Sequence, residues 1–138
     1  MLKTACINPE IMSTLARCGH GDKILITDGN YPIDSNTNHN AKKVYMNLTH
    51  GIPTATQVLE VMLKTVAVEK AEVMIPDEGE EPAIFREFKS IIADEELFHG
   101  LERYEFYEEC KKENVKLAIA TGEQRVYANI LLTIGVVS

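Results

Sequence analysis

The chain has no apolar run approaching the roughly 18 residues of a membrane span. Its opening, Met1-Leu2-Lys3-Thr4-Ala5-Cys6, also lacks the apolar core of a secretion signal, so a cytoplasmic protein with no membrane partner is expected. Positive charge is in short supply: 14 Lys and Arg stand against 21 Asp and Glu, for a formal charge of −7. An acidic chain repels phosphate backbones unless it carries a basic stripe. The only dense basic spots are the pairs Lys42-Lys43 and Lys111-Lys112, so no nucleic-acid partner is expected. Cysteine is scarce as well. Cys6, Cys18 and Cys110 cannot all pair within the chain and show no C-x-x-C spacing, which argues against a redox motif or a zinc site and for reduced thiols. No repeat is visible, and the polar stretch 34–40 is short enough for one exposed loop.

Sequence motifs are missing too. There is no G-x-x-x-x-G-K, no G-x-G-x-x-G, no G-x-S-x-G and no H-E-x-x-H. His20, His39, His50 and His99 are scattered at spacings that form no recognisable metal set. Phosphoryl transfer, dinucleotide chemistry and metallohydrolysis all lose weight, and neither a metal nor a cofactor is expected.

What is present describes a folded protein. Apolar residues make up 45% of the 138 and charged ones 25%, the balance of a soluble globular chain, and the length suits one domain over 1–138. Asn8 as cap, Pro9 at the first helical position and Gly19 as stop predict a helix with Ile11, Met12, Leu15 and Cys18 on one face. "KILIT" at 23–27 has the apolar run of a buried strand, broken by Asp28-Gly29. A second strand is expected at 43–47. A helix should follow from the Thr54/Gln57 capping-box spacing through about Val66, and a strand at 71–75. After an acidic loop, Pro82 opens a helix that turns Ile84, Phe85, Phe88, Ile91 and Ile92 inward. A strand at 101–104, a short helix through Glu113 and two strands within 116–121 and 129–137 complete the reading. Strands alternating with helices imply an α/β fold: a single layered domain with a mostly parallel central sheet flanked by helices.

Four stretches could carry chemistry. In "GHGD", glycines on both sides of His20 free the backbone to hold the ring out of local packing, and a histidine both gives and takes protons near neutrality; a buried structural histidine fits the same letters. "TDGNYP" puts Asp28, Asn30 and Tyr31 just past a strand end, where α/β folds bind ligands, although a turn aspartate bonding its own backbone is the plainer account. "TGEQRVYAN" is denser in polar groups than a connection needs. Tyr127 and Asn129, two apart, point the same way on an extended chain, and hydroxyl plus amide would clamp a polyhydroxy ligand. In "ERYEFYEE", Arg103, Tyr104 and Tyr107 suit hydroxyl recognition, while one aromatic face of a helix commonly goes to the core.

Taken in order and at these distances, "GHGD", "TDGNYP", "RYEFYE" and "TGEQRVYANILLTIGV" resemble the D-ribose pyranase and L-fucose mutarotase family of small cytoplasmic sugar isomerases, over nearly the full chain. The resemblance implies that His20 is the general acid and that Asp28 binds sugar. It also implies that Arg103 contacts the sugar as in the fucose branch, and that Tyr127 and Asn129 hold hydroxyls beside the Ala128 backbone. Tyr107 stands where the ribose branch tends to have histidine and the fucose branch tyrosine, which with "GHGD" and "FYE" favours L-fucose as substrate. "LTHGIPTATQVLEV" looks more like the ribose branch, and Asn30 stands where many fucose enzymes have a histidine, so D-ribose is the alternative.

Exchanging anomers needs the bond between anomeric carbon and ring oxygen to break and re-form, with one group taking a proton and another giving one. His20 suits the donor, and Asp28 could orient the sugar or serve as base, directly or through water. The strand between them would separate the two by roughly 17 Å, more than one monosaccharide spans. A neighbouring subunit completing the site is expected, and the resemblance implies a ring-like, decamer-like homo-oligomer with sites between subunits. A non-catalytic sugar-binding protein and an oligomeric scaffold are the rival classes.

Overall fold

Ile24 and Ile26 face one way from the first strand and Leu25 the other, and each side lands in its own apolar cluster. A strand buried on both faces belongs inside a layered sheet. The computed structural model, which describes residues 1–138, shows that sheet. Its strands are β1 (Lys23–Thr27), β2 (Lys42–Tyr45), β3 (Val68–Met74), β4 (Phe98–Leu101), β5 (Val115–Ala120) and β6 (Ile130–Ile134), in the spatial order β2-β5-β1-β6-β3-β4. Period-two alternation sorts the side chains. Leu117, Ile119, Ile130 and Leu132 join Ile24 and Ile26 under the helices α1 (Pro9–Leu15), α2 (Ala55–Leu63) and α3 (Ala83–Ile92), while Ala118 and Leu131 join Leu25 under α4 (Arg103–Cys110).

The helix starts follow the sequence signals. The Asn8 side chain accepts from the Ile11 N–H with Pro9 behind it, and Thr54 and Gln57 complete a capping box on α2. The ends are shorter than expected: α1 stops at Leu15 and passes through turns to Gly19, and α2 stops at Leu63. The expectation of a strand at 101–104 is corrected. The strand is Phe98–Leu101, and the Glu102 carboxylate caps α4 by accepting from the Tyr104 and Glu105 N–H groups, so Arg103 and Tyr104 are helical. α4 ends at Cys110 rather than Glu113.

The sheet is mixed and mostly parallel. β1 pairs parallel with β5, β5 with β2, and β3 with β4, whereas β6 runs antiparallel between β1 and β3. The C-terminal ends of β1, β3, β4 and β5 and the start of β6 therefore share one edge, with Asp28, Met74, Arg103 and Asn129 on or next to it. His20, ahead of β1, and Glu69, at the start of β3, share the opposite edge.

One ionic cluster lies between sheet and helix. Lys23 Nζ is 3.0 Å from Glu72 Oε1 and 3.1 Å from Glu109 Oε2, and it joins β1, β3 and α4 beneath a layer where Lys23 and Glu72 are buried. Burial pulls the Lys23 pKa down, but hydrogen bonds and charge from Glu72 and Glu109 more than offset this and lift it above its ordinary value.

Candidate functional site

Asp28 follows directly on the buried strand β1 and is itself buried at 5% exposure, a costly place for a carboxylate unless its oxygens are occupied. They are occupied. Oδ1 accepts from the Asn30 and Tyr31 N–H groups, both at 2.9 Å, and Oδ2 accepts from Asn129 Nδ2 at 3.3 Å. Asn129 Oδ1 in turn accepts from the Asp28 N–H at 2.8 Å, locking the end of β1 to the start of β6. The turn aspartate of the plainer reading is thus real, and the same residue also faces a cleft. Burial pushes the Asp28 pKa above the ordinary carboxylate value, against the pull of the hydrogen bonds from Asn30, Tyr31, Asn129 and the Ala128 backbone.

That cleft has a volume of about 240 Å³ and is lined by Asp28, Asn30, Tyr31, Pro32, Met74, Arg103, Tyr107, Val126, Tyr127 and Asn129. Arg103 and Tyr107 reach it from the first turns of α4, and the Arg103 guanidinium lies 5.8 Å from the centre of the Tyr107 ring. Tyr31 forms the floor between Phe106 and Tyr107, with ring centres 6.2 and 5.6 Å away, and its hydroxyl donates to the Asn36 carbonyl at 2.7 Å. Tyr127 and Asn129 do not share the cleft by strand alternation. Tyr127 has φ 60, a left-handed backbone conformation, and its side chain lines the cleft together with that of Asn129, the buried Ala128 lying between them in the chain. Such a conformation costs a non-glycine residue about 1–3 kcal/mol and persists where its surroundings demand it.

The excess polarity of 121–129 has a second explanation. The Glu123 carboxylate accepts from Arg125 Nε and Nη2, both at 2.9 Å, and from the Ala55 N–H at 3.2 Å, while Arg125 Nη1 also pairs with Glu87. Glu123 and Arg125 therefore bind the loop to α2 and α3, and Tyr127 and Asn129 are left to face the cleft. A larger polar opening of about 530 Å³ adjoins it across Asn30, with Asn47, Thr49, His50 and Gln124 on its walls.

His20 is elsewhere. The GHGD turn precedes β1 at the opposite sheet edge, and only Gly21 of its two glycines takes positive φ, at 89. The imidazole is 59% exposed, and its Nε2 lies 3.0 and 2.9 Å from the two carboxylate oxygens of Glu69. One chain thus brings together Asp28, Arg103, Tyr107, Tyr127, Ala128 and Asn129 and keeps His20 apart from them. Met74, Val126 and Glu69 are the participants that sequence reasoning missed. Met74 and Val126 carry no chemical signal, and Glu69 meets its partner only through the sheet.

No helix is long and apolar enough to cross a membrane. The model of the RbsD / FucU transport protein family matches residues 1–137. A D-ribose pyranase from Clostridium novyi is 38% identical over 141 residues, covering 99% of this chain and 99% of that protein. The human (Homo sapiens) fucose mutarotase is 33% identical over 147 residues, covering 97% of this chain and 92% of that protein. The structure of Bacillus subtilis RbsD complexed with D-ribose matches with a TM-score of 0.86 at 28% identity, over 100% of both chains. Likeness that runs almost end to end, in sequence and in fold, makes this chain a member of the RbsD / FucU family.

Proposed function

We propose that the protein is a cofactor-independent monosaccharide mutarotase that opens and recloses the ring of an aldose. The observation that carries this reading is the convergence of Asp28, Arg103, Tyr107, Tyr127 and Asn129 on one cleft of about 240 Å³. That volume falls below the ~300–1,000 Å³ of drug-sized pockets and suits a single sugar ring. The relatives named for D-ribose and for fucose support the substrate class.

His20 supplies the acid. It donates a proton to the ring oxygen as the bond to the anomeric carbon breaks, and the proton of the anomeric hydroxyl passes to Asp28, directly or through a water. The open aldehyde turns about its bond to C2, and the same two transfers in reverse close the ring on the other face. The raised pKa of Asp28 makes it a stronger base than an ordinary carboxylate. Arg103, Tyr107, Tyr127, the Ala128 backbone and Asn129 hold the hydroxyls that do not react. Because His20 and Asp28 occupy opposite ends of β1, the acid comes from a neighbouring subunit of a homo-oligomeric ring.

L-fucose is the preferred substrate on the strength of Arg103 and Tyr107 in the cleft. D-ribose pyranase activity is the second reading, favoured by relatives of that name at 36% and 38% identity. NMR saturation transfer between anomers tests both. The protein should speed α/β exchange of L-fucose, and of D-ribose less strongly; a reversed order establishes the ribose reading. Sugar-induced shifts with exchange no faster than in buffer would make the protein a binder and end the enzyme reading.

A further inference from the structure

We propose that the sugar site continues past Asn30 into the polar opening beside it, and that the protein exchanges the anomers of neutral reducing disaccharides as well as of single sugars. The inference rests on the cleft at Asp28 being the place of ring opening and adds a second subsite that this reaction on a single sugar does not use.

The opening and the cleft meet at one residue. Asn30 lines both, and its backbone is fixed by the N–H it donates to Asp28 Oδ1 at 2.9 Å. At about 530 Å³ the opening has more than twice the volume of the 240 Å³ cleft that suits one ring, so it has room for another. Segments 47–50 and 121–124 build its walls, and backbone contact holds them together. The Gly122 N–H donates to the Pro53 carbonyl at 2.9 Å, the Gly51 N–H donates to the Gly122 carbonyl, and the Leu48 N–H donates to the Ile52 carbonyl at 3.0 Å. A Cβ at Gly122 would lie 2.6 Å from the Ile52 carbonyl oxygen and closer still to that of Thr49, so only glycine allows this approach.

The walls select a neutral, hydroxylated ligand. Leu48 is the only apolar side chain on them and no lysine or arginine reaches them, so neither an apolar group nor a phosphate finds its partners there. The Glu123 carboxylate is already held by Arg125. The side chains of Asn30, Asn47, Thr49, His50 and Gln124 make no hydrogen bond within the chain. An amide, a hydroxyl and a neutral imidazole each offer a donor and an acceptor, the match for sugar hydroxyls that give and take hydrogen bonds.

A second ring leaves the chemistry unchanged. Ring opening breaks only the bond between the anomeric carbon and the ring oxygen of the reducing sugar, with one proton leaving the anomeric hydroxyl and one arriving at the ring oxygen. The bond to the second sugar, made through another hydroxyl, is neither formed nor broken, and no co-reactant is needed. The reducing ring occupies the cleft, and its substituent passes Asn30 to reach Asn47, His50 and Gln124.

Anomer exchange is measured by NMR saturation transfer on the full-length assembly, for L-fucose and D-ribose and for the same sugars carrying a galactosyl group on O2, O3 or O4. At least one linkage should exchange faster than in buffer, with kcat/KM within about tenfold of the plain sugar. In the combined Asn47→Ala, His50→Ala and Gln124→Ala variant, the ratio of disaccharide to monosaccharide kcat/KM should fall by about 10–100-fold, at ~2–10-fold per lost hydrogen bond. His50→Ala alone, at an exposed position, should lower that ratio by about 2–10-fold. Accelerated exchange of the single sugars with no disaccharide faster than in buffer overturns this proposal alone, and so does a ratio that neither variant moves. If the single sugars are not accelerated either, it falls together with the mutarotase reading.

Discussion

Replacing His20 by alanine lowers the rate of anomer exchange by about 10²–10⁴-fold while sugar still binds the protein. The proposed mechanism separates catalysis from binding because it places the acid and the sugar cleft in different parts of the chain. His20 does not line the cleft beside Asp28, and its half-exposed ring is paired with the Glu69 carboxylate at the surface, so neither the fold nor the cleft should suffer. Glutamine at position 20 retains a polar group and cannot transfer the proton, so it should be as slow as alanine. Substitutions at Asp28 are less clean. Removing its carboxylate strips partners from two buried-side N–H groups and from Asn129, and a lost partner of that kind costs about 1–3 kcal/mol. Saturation-transfer rates beside a sugar titration read both quantities, and parental exchange in His20→Ala would remove the imidazole from the mechanism.

Lys23→Ala should destabilise the fold by about 3 kcal/mol, the lower end of the ~3–5 kcal/mol for removing one partner of a buried ion pair. Glu72, only 3% exposed, loses its closest cation; Lys70, 3.5 Å from its other oxygen, limits the damage. A chain of this size should lose roughly 10 °C in Tm. The cluster also sets a pH window. The raised pKa of Lys23 means the folded protein holds that proton more tightly than the unfolded chain, so its contribution is full below about pH 10.5 and is lost as pH rises further. Glu109 shifts the other way. Burial raises its pKa, but hydrogen bonds from Lys112 and Lys23 outweigh that and hold it below the ordinary value, so its contribution is lost as pH falls beneath about 4.5. Urea unfolding across that range checks both limbs. A loss under about 1 kcal/mol, or parental alkaline sensitivity in Lys23→Ala, would contradict the buried-pair account.

The parts of the fold legible in the sequence are those fixed by neighbours in the chain. Asn8-Pro9 and Thr54-Gln57 announce their helices because a cap is a contact over three residues, and "KILIT" announces a strand because both faces need apolar side chains. Strand direction is a tertiary property, and β6 turned out antiparallel to its neighbours. A clue existed: the connection 121–129 is shorter than the dozen or so residues a parallel crossover needs. "FHGL" was invisible as a strand because an edge strand with partly exposed faces carries no alternating pattern. In the site, the turn at Asp28 was legible from Asp-Gly, and the separation of His20 from Asp28 followed from the rise of one strand. The convergence of Arg103 and Tyr107 with Tyr127 and Asn129 was legible only through family resemblance. The holding role of Glu123 and Arg125 and the pairing of Glu69 with His20 depend on groups that meet only once the sheet is assembled.

The composite site is tested most directly by mixing two inactive variants. His20→Ala keeps the cleft side chains, and Asn129→Ala keeps the proposed acid; in the proposed homo-oligomer each variant alone should exchange sugar anomers slowly. Dissociated together and reassembled in equal amounts, they should recover about a quarter of the parental rate, because random neighbours pair a wild-type His20 with a wild-type cleft at that frequency. Reassembled mixtures no faster than the sum of the two variants would contradict a site shared between subunits.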